Sequence, residues 1–323
     1  MKIVRRSVRR CILVLAAALP AMAIAQPAFP TRAIEIIVPY PPGASVDLTA
    51  RLVQTGIGNR LGQSIVVENR PGAGGNIGSA YVAKSPPDGH RILLTTNAVM
   101  TINPHVYNNM GFDVLKDLAP ITLAVNGELG VAVSAASPIK SFPELIEFAK
   151  RNPGKLSYGT PGSGSPQHVV GELIKQQSGI FMVHIPYRGV GPVIADVLGG
   201  NIDVVISTHA ALVPQASAGK LRVLALANPK RDANGIPVIA ETLPGFESSA
   251  WLAFFAPAGT PRPVIDRLNA AIVAAINSGE INGKLVSNAL KPAAGTPEEL
   301  AALVKRDYDV YGKVVREKKI GAD

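Results

Sequence analysis

Short runs rich in valine and isoleucine alternate along this chain with segments of helical periodicity. The strand-like runs include Ile34–Val38, Ile92–Thr96 and Asp203–Ser207, and patterns such as Ser45–Leu61 and Pro166–Gln177 are typical of helices. A strand–helix–strand alternation is satisfied by a mostly parallel sheet whose faces are covered by helices. The sequence therefore predicts an α/β fold.

Two strand signals stand apart from this alternation. One is the long β-rich run Ile121–Ser134, and the other is Trp251–Phe255. Strands of this kind can carry the chain out of one domain and later back into it. We therefore expect two domains, each a mostly parallel sheet flanked by helices. The first comprises residues 27–126 and 248–323, and the second comprises residues 127–247.

The first 25 residues have the pattern of a secretory signal peptide. Five basic residues flank the start of the apolar run Cys11–Leu19, and Ala23-Ile24-Ala25 provides a small-x-small cleavage site. These nine apolar residues are too few to cross a bilayer, which needs about 20. We therefore expect cleavage near Ala25 and a periplasmic mature protein.

Removal of this leader changes the charge balance of the chain. The full chain has 32 Lys and Arg against 23 Asp and Glu, and loss of five basic residues leaves 27 against 23, a net charge of +4. No clustered basic face is visible, so a nucleic-acid partner is not expected. The single cysteine lies in the leader, which excludes disulfides and a thiol nucleophile from the mature chain.

Neither a metal nor a cofactor is expected. The five histidines show no paired spacing of the kind that ligates zinc. The glycines of Gly72-Ala-Gly74 depart from the dinucleotide-binding spacing at the third glycine of that pattern.

Three predicted strand-to-helix turns are rich in glycine and small residues. They are Pro39–Asp47, Glu68–Asn76 and Gly159–His168. The start of a helix presents unpaired N–H groups and the positive end of the helix dipole, so it can hold an anion. One such turn alone is most simply a tight connection. Three in one secreted chain predict a cleft lined by backbone donors.

The candidate ligand-binding residues come from these turns and from neighbouring strand ends. His168 can donate to a bound anion or serve its own loop, and Tyr40 and Tyr187 can close over a ligand or pack as half-buried side chains. The full set is Tyr40, Gly43, Ala44, Ser45, Asp47, Gly75, Asn76, Asn97, Thr160, Gly162, Ser163, Gly164, Ser165, His168, Tyr187 and Ser207.

The third turn also allows a competing function. A secreted serine hydrolase could use Ser163 or Ser165 as nucleophile with His168 as base. Against this, no Gly-x-Ser-x-Gly elbow surrounds either serine, and no acid is placed by sequence to complete a triad.

Several short motifs, running in order from about residue 30 to the C-terminus, resemble one known family. The motifs are Ile36–Gly43 with Asp47, Val67–Gly75, Pro87–Gly89, Tyr158–Gly164 with His168, His184–Gly189, Gly199–Asp203 and Ala256–Pro261. Together they are similar to the Bug-type extracytoplasmic solute receptors, the binding-protein component of tripartite tricarboxylate transporters.

The resemblance implies a two-domain periplasmic binding protein of the Venus-flytrap, type II-like kind, with the ligand enclosed between domains. It implies a non-enzymatic receptor for small carboxylates, held largely by backbone groups and ordered water in the loops above. The implied partner is a separate membrane permease, and the receptor is expected to be a monomer. A receptor for an ABC importer shares this architecture and remains an alternative.

The chain departs from the family pattern at two places. The first turn reads Gly43-Ala44-Ser45, where the family usually has two consecutive glycines, and Ser207 stands where an acid is common. An amino-acid ligand has an ammonium group that needs an acidic partner. The resemblance therefore does not extend directly to an amino-acid ligand.

Overall fold

A computed structural model describes residues 29–228, 231, 235–246, 248, 250–288 and 290–321. The predicted signal peptide, residues 1–25, and its cleavage site lie outside these residues. Among the helices of the described part, none combines the length and apolar character needed to span a membrane.

The first sheet has six strands, four of which run in the same direction. In spatial order they are β11 (Lys291–Pro292), β4 (Leu118–Gly127), β10 (Ala250–Pro257), β3 (Arg91–Thr96), β1 (Ile34–Val38) and β2 (Ile65–Asn69).

The second sheet has five strands, and four of these run in the same direction. In spatial order they are β7 (Val183–Pro186), β6 (Ser157–Thr160), β8 (Val204–Thr208), β5 (Leu129–Ser134) and β9 (Leu221–Leu226). The antiparallel strand β5 lies next to β8, as β10 lies next to β3 in the first sheet.

Ten α-helices of the described residues flank these sheets. They are α1 (Ser45–Leu61), α2 (Asn76–Ala83), α3 (Asn103–Val106), α4 (Phe142–Arg151), α5 (Pro166–Ser178), α6 (Val190–Leu198), α7 (His209–Ser217), α8 (Arg262–Ile276), α9 (Gly279–Ser287) and α10 (Pro297–Lys318). Short 3₁₀ turns span Ala73–Gly75 and Ile239–Glu241, and a π-helical turn spans Ala98–Ile102. The predicted α/β class, with two mostly parallel sheets flanked by helices, is confirmed.

Each sheet has an apolar core on both of its faces. In β1, Ile36 packs into one core and Ile37 into the opposite one, which explains why this strand is apolar almost throughout. The last helix, α10, packs against a core of each sheet, and we call each sheet with its flanking helices a lobe. Leu300 in its first half belongs to a core of the first sheet, whereas Tyr311 and Val314 belong to the core of the second.

The chain passes between the sheets at the first isolated strand signal. Strand β4 ends at Gly127 in the first sheet and β5 begins at Leu129 in the second, so Glu128 is the residue of the crossing. The return leads from β9 to β10. The predicted run Ile121–Ser134 is therefore two strands that belong to different sheets.

Local sequence signals place several element ends well. The predicted bounds of α1 match the structure, and α5 extends one residue beyond its predicted end at Gln177. Helix α10 begins with a capping box formed by Thr296 and Glu299. The sequence pattern does not predict α7 or α9. Helix α7 contains Pro214 and α9 includes Gly283, and both residues are unfavourable within helices.

Candidate functional site

A cavity of about 950 Å³ is bounded by residues that follow strands of both sheets. Tyr40 lies beyond β1, Asn97 follows β3, and Gly162–Ser165 follow β6. The carboxyl ends of parallel strands are the common place for ligands in α/β folds, because the following turns gather there. A cavity of this size accommodates a small organic molecule.

Seven of the sixteen candidate residues line this cavity, and nine do not. The lining residues are Tyr40, Ser45, Asn97, Gly162, Ser163, Gly164 and Ser165. The others are Gly43, Ala44, Asp47, Gly75, Asn76, Thr160, His168, Tyr187 and Ser207.

In the first turn, Asp47 organises the loop. Its buried carboxylate accepts hydrogen bonds from the Gly43 N–H (2.9 Å), the Asn69 amide (2.9 Å) and the Arg51 guanidinium (3.0 Å). Burial alone would raise the pKa of the Asp47 carboxyl, but these donors outweigh it and hold the pKa below its usual value. Asp47 therefore fixes the turn that presents Ser45 to the cavity.

The second turn packs against Tyr40 and accepts a hydrogen bond from it. Gly75 has a φ of +97°, and a Cβ there would lie 2.8 Å from Val99 Cγ2 and 3.1 Å from the Tyr40 hydroxyl. That hydroxyl lies 2.8 Å from Thr96 Oγ1 and donates to the Gly74 carbonyl (3.3 Å). Burial raises the pKa of Tyr40 to about 12, so the phenol remains neutral. Close packing leaves no room for a side chain at Gly75, which does not line the cavity. Its neighbour Gly74 does line the cavity.

In the third turn, most hydrogen-bonding groups serve the loop itself. Ser165 caps α5: its hydroxyl accepts from the His168 N–H (3.2 Å) and donates to the Gly162 carbonyl (2.7 Å). The Gly164 N–H donates to His168 Nδ1 (3.1 Å), and the His168 ring stacks on His184 at 3.7 Å. His168 thus holds the shape of the turn, which corresponds to the loop-serving alternative.

The remaining candidates off the cavity have partners or burial elsewhere. Thr160 Oγ1 lies 2.7 Å from His184 Nε2, and the Tyr187 hydroxyl donates to Asp196 (2.6 Å). Asn76 accepts from the Asn103 amide (2.7 Å). Ser207 is fully buried, with no hydrogen-bond partner for its hydroxyl among the described residues.

Several backbone donors in the lining are left over by these arrangements, those of Ser45, Ser163 and Gln167 among them. Within the described residues, no protein acceptor pairs with the N–H groups of Ser45, Ser163 or Gln167. The hydroxyls of Ser45 and Ser163 likewise make no hydrogen bond to another described residue, and both line the cavity. Since Ser45 begins α1 and Gln167 lies in the first turn of α5, both donors stand at the positive end of a helix dipole.

Sequence reasoning missed a charged group in the cavity wall. Glu128, His209 and Lys291 all line the cavity, as do Asn103 and Tyr107. Only His209 had a local signal, since it directly follows β8 at the same sheet edge as the glycine-rich turns. Glu128 and Lys291 reach the cavity because of where the chain crosses between sheets and where β11 pairs, and neither is encoded locally.

Two sheets flanked by helices, joined by crossing segments and with a cavity at their strand ends, have the architecture of solved periplasmic binding proteins. The profile described as "Tripartite tricarboxylate transporter family receptor" matches residues 49–320. The chain belongs to this family. It is also 32% identical over 293 residues to Protein BugT of Bordetella pertussis, covering 90% of each chain, which confirms the resemblance to the Bug-type receptors.

Known relatives and solved structures agree with this membership. The chain is 36% identical over 300 residues to the "UPF0065 protein in tcbD-tcbE intergenic region" of Pseudomonas sp. (strain P51), covering 92% of this chain and 89% of that protein. It is similar to R. palustris Rpa4515 with adipate, at 32% identity and a TM-score of 0.75 over 91% of this chain and 99% of that one. It also resembles MatC from Rhodopseudomonas palustris with bound malate, at 27% identity and a TM-score of 0.71 over 89% and 100% of the two chains.

Proposed function

We propose that this protein is a periplasmic receptor that captures a small carboxylate between its two lobes and delivers it to a separate membrane permease. The observation that carries the proposal is the position of the unpaired donors. Ser45 belongs to a turn of the first sheet and Ser163 to a turn of the second, yet both line one cavity. Backbone N–H groups and hydroxyls converging from two sides suit a carboxylate.

The solved structures support this ligand class. Two structures similar to this one over about nine-tenths of the chain hold adipate and malate, both of which are carboxylates. Our proposal extends that class, and not either compound, to this chain.

We propose that the two lobes are the domains expected from the sequence, residues 27–126 with 248–323 and residues 127–247. Because groups from both sheets line the cavity, a ligand that touches both favours the closed arrangement. Small-angle scattering with and without saturating adipate tests this. An unchanged radius of gyration with a bound ligand would contradict closure.

We further propose export by residues 1–25, cleavage near Ala25, and a monomeric mature receptor. The family membership supports the periplasmic location. N-terminal sequencing of the secreted protein and light scattering of the purified product test these points separately.

The hydrolase alternative has less support from the geometry. The Ser165 hydroxyl caps its helix through the backbone N–H of His168. We propose that the protein leaves its ligand chemically unchanged. Chromatography of the ligand recovered after prolonged incubation distinguishes the two, since an altered product would identify an enzyme.

Calorimetry with adipate, malate and benzoate tests carboxylate capture directly. A hydrogen bond to a charged group contributes roughly 1.5–3 kcal/mol, so Ser45→Ala and Ser163→Ala should each weaken binding about tenfold to a hundredfold. Ser287→Ala is the control, because Ser287 is an exposed residue at the end of α9 that does not line the cavity. Failure of every carboxylate to bind the folded wild-type protein would refute the proposal.

A further inference from the structure

A carboxylate, an ammonium group and an imidazole of the cavity wall are in contact with one another at one place. Among the described residues that line the cavity, Glu128 is the sole carboxylate, Lys291 the sole Lys or Arg, and His209 the sole histidine. Each comes from a different segment: the crossing between the sheets, strand β11 and the start of α7. We call these three residues the charged cluster.

The cluster is organised around Glu128. Its Oε1 lies 3.2 Å from Lys291 Nζ, and its Oε2 lies 3.3 Å from His209 Nδ1. The Glu128 carbonyl also accepts from the His209 backbone N–H at 2.7 Å. Hydrogen bonding from His209, together with Lys291, lowers the pKa of the Glu128 carboxyl despite its partial burial. The carboxylate therefore stays ionised near neutral pH and keeps the lysine at the cavity wall.

Within the charged cluster, the donors of Lys291 are the groups most open to a ligand. Both oxygens of Glu128 are engaged and its side chain is 17% exposed, whereas the Lys291 side chain is 67% exposed. An ammonium group has three donors, and Glu128 uses one of those of Lys291. The free bonding capacity of the cluster is thus mainly that of a cation.

A neighbouring residue marks the same end of the cavity. Asn126 is the cross-strand partner of Lys291 and also lines the cavity. Its side-chain oxygen is buried without a hydrogen-bond partner among the described residues. Buried polar atoms are seldom left unpaired. Because an amide oxygen only accepts, a water that donates to Asn126 Oδ1, and not a ligand carboxylate, completes the bonding here.

We infer that Lys291, held in place by Glu128, binds a second anionic group of the ligand, so that the receptor selects dicarboxylates over monocarboxylates. This inference rests on the proposed carboxylate-receptor function. One carboxylate is held by the turns that carry Ser45 and Ser163, and the other by Lys291. The lysine is then a specificity-determining residue, and His209 is a positioning residue that fixes the second oxygen of Glu128.

The competing possibility is that Glu128 recognises a ligand ammonium group. Such a ligand would have to displace Lys291 or His209 from the carboxylate. It would also bring a second cation next to Lys291. The described contacts therefore favour an anion at this end.

The test compares three series of linear probes of four to eight carbons: α,ω-dicarboxylates, the matching monocarboxylates, and the matching ω-amino acids. Dissociation constants are measured by calorimetry on the mature protein and on the variants Lys291→Gln and Lys291→Arg. Lys305→Gln is the matched control, because Lys305 is an exposed lysine of α10 that pairs with Asp309 and lies outside the cavity.

We expect the wild-type protein to bind its best dicarboxylate at least about tenfold more tightly than the matching monocarboxylate, as charge-assisted hydrogen bonds are the strong ones. Lys291→Gln should reduce that ratio to about twofold through the loss of dicarboxylate affinity, whereas Lys291→Arg and Lys305→Gln should keep it.

An unchanged ratio in Lys291→Gln would overturn this inference and leave the proposed function standing. A preference for ω-amino acids would overturn it in favour of Glu128 as the recognition group. Binding of none of the probes by folded wild-type protein would overturn both the inference and the proposed function.

Discussion

The indole N–H of Trp251 donates to Oδ2 of Asp307 at 2.8 Å, which ties strand β10 to the last helix inside the protein. Both side chains are almost completely buried, and Trp251 also contributes to the cavity wall. The guanidinium of Arg306 pairs with the other oxygen of Asp307 at 2.9 Å. The last helix, which packs against both cores, is therefore fixed to the wall of the cavity by this bond.

Asp307→Ala should lower the free energy of unfolding by about 1–3 kcal/mol, because the buried indole N–H loses its acceptor. Urea unfolding followed by the fluorescence of Trp251, the single tryptophan, measures this. Asp309→Ala is the control, since Asp309 is 63% exposed and pairs with the exposed Lys305. Equal midpoints for the two variants would show that the buried bond contributes no stability.

Gly75→Ala should destabilise the protein and weaken carboxylate binding, whereas Gly162→Ala should do neither to a comparable extent. At Gly75 the positive φ and the 2.8 Å approach to Val99 both oppose a Cβ. At Gly162 the nearest atom to a Cβ is the Tyr187 carbonyl oxygen at 3.6 Å, and φ is not positive. Thermal unfolding and adipate calorimetry on both variants decide the matter. A Gly75→Ala protein with wild-type stability would refute the packing role of Gly75.

The stability provided by Asp47 should depend on pH in the acidic range. Its folded-state pKa is below the unfolded value of about 4, so its contribution is fully present above that value and is lost as the pH falls through the folded pKa. The difference in unfolding free energy between wild type and Asp47→Asn should therefore shrink as the pH is lowered from 6 to 3. A difference that stays constant over this range would contradict the depressed pKa.

Lys175→Met should destabilise the protein strongly. Glu172 is 4% exposed and accepts from Lys175 (2.6 Å) and from the Tyr158 hydroxyl (2.7 Å). Loss of one partner of a buried ion pair costs about 3–5 kcal/mol, and Glu172→Gln in the same chain should recover part of it. Lys313→Met, at a 68% exposed lysine, provides the comparison in urea unfolding. Similar effects of the two lysine changes would show that the Glu172 carboxylate does not need Lys175.

Arg188→Ala should leave adipate affinity within about twofold of wild type, because a solvated arginine contributes little to a site it does not reach. Arg188 is exposed and is not part of the cavity wall. Calorimetry should show a much larger loss for Gly164→Val, since Gly164 has a φ of +68° that a β-branched residue rarely adopts. If Arg188→Ala abolished binding and Gly164→Val did not, an arginine clamp would replace the backbone donors as the source of affinity.

Local signals in the sequence predicted much of the fold. The periodicities of Ser45–Leu61 and Pro166–Gln177 depend on neighbours within a few residues, so both helices can be predicted without knowing the tertiary structure. The same holds for the three glycine-rich turns, in which the structure shows positive φ values at Gly43, Gly75 and Gly164.

The roles of residues within those turns were less predictable. Asp47 and His168 are buried beside the cavity and hold the turns together, although by sequence they were equally good ligand contacts. A polar side chain in a turn can point to a ligand or back to its own backbone. Which of the two occurs depends on packing from distant residues, such as Asn69 behind Asp47 and His184 behind His168.

The sequence by itself determined the α/β class, the family and the turns that carry backbone donors, because each of these is encoded by residues close together in the chain. Only the tertiary structure brought Glu128, His209 and Lys291 into one cluster, since 163 residues separate Glu128 from Lys291. Strand pairing between β11 and β4 and the crossing at Glu128 create that proximity. Charges that meet through sheet topology leave no periodicity or spacing in the sequence, so the charge of the cavity could be recognised only after the chain was folded.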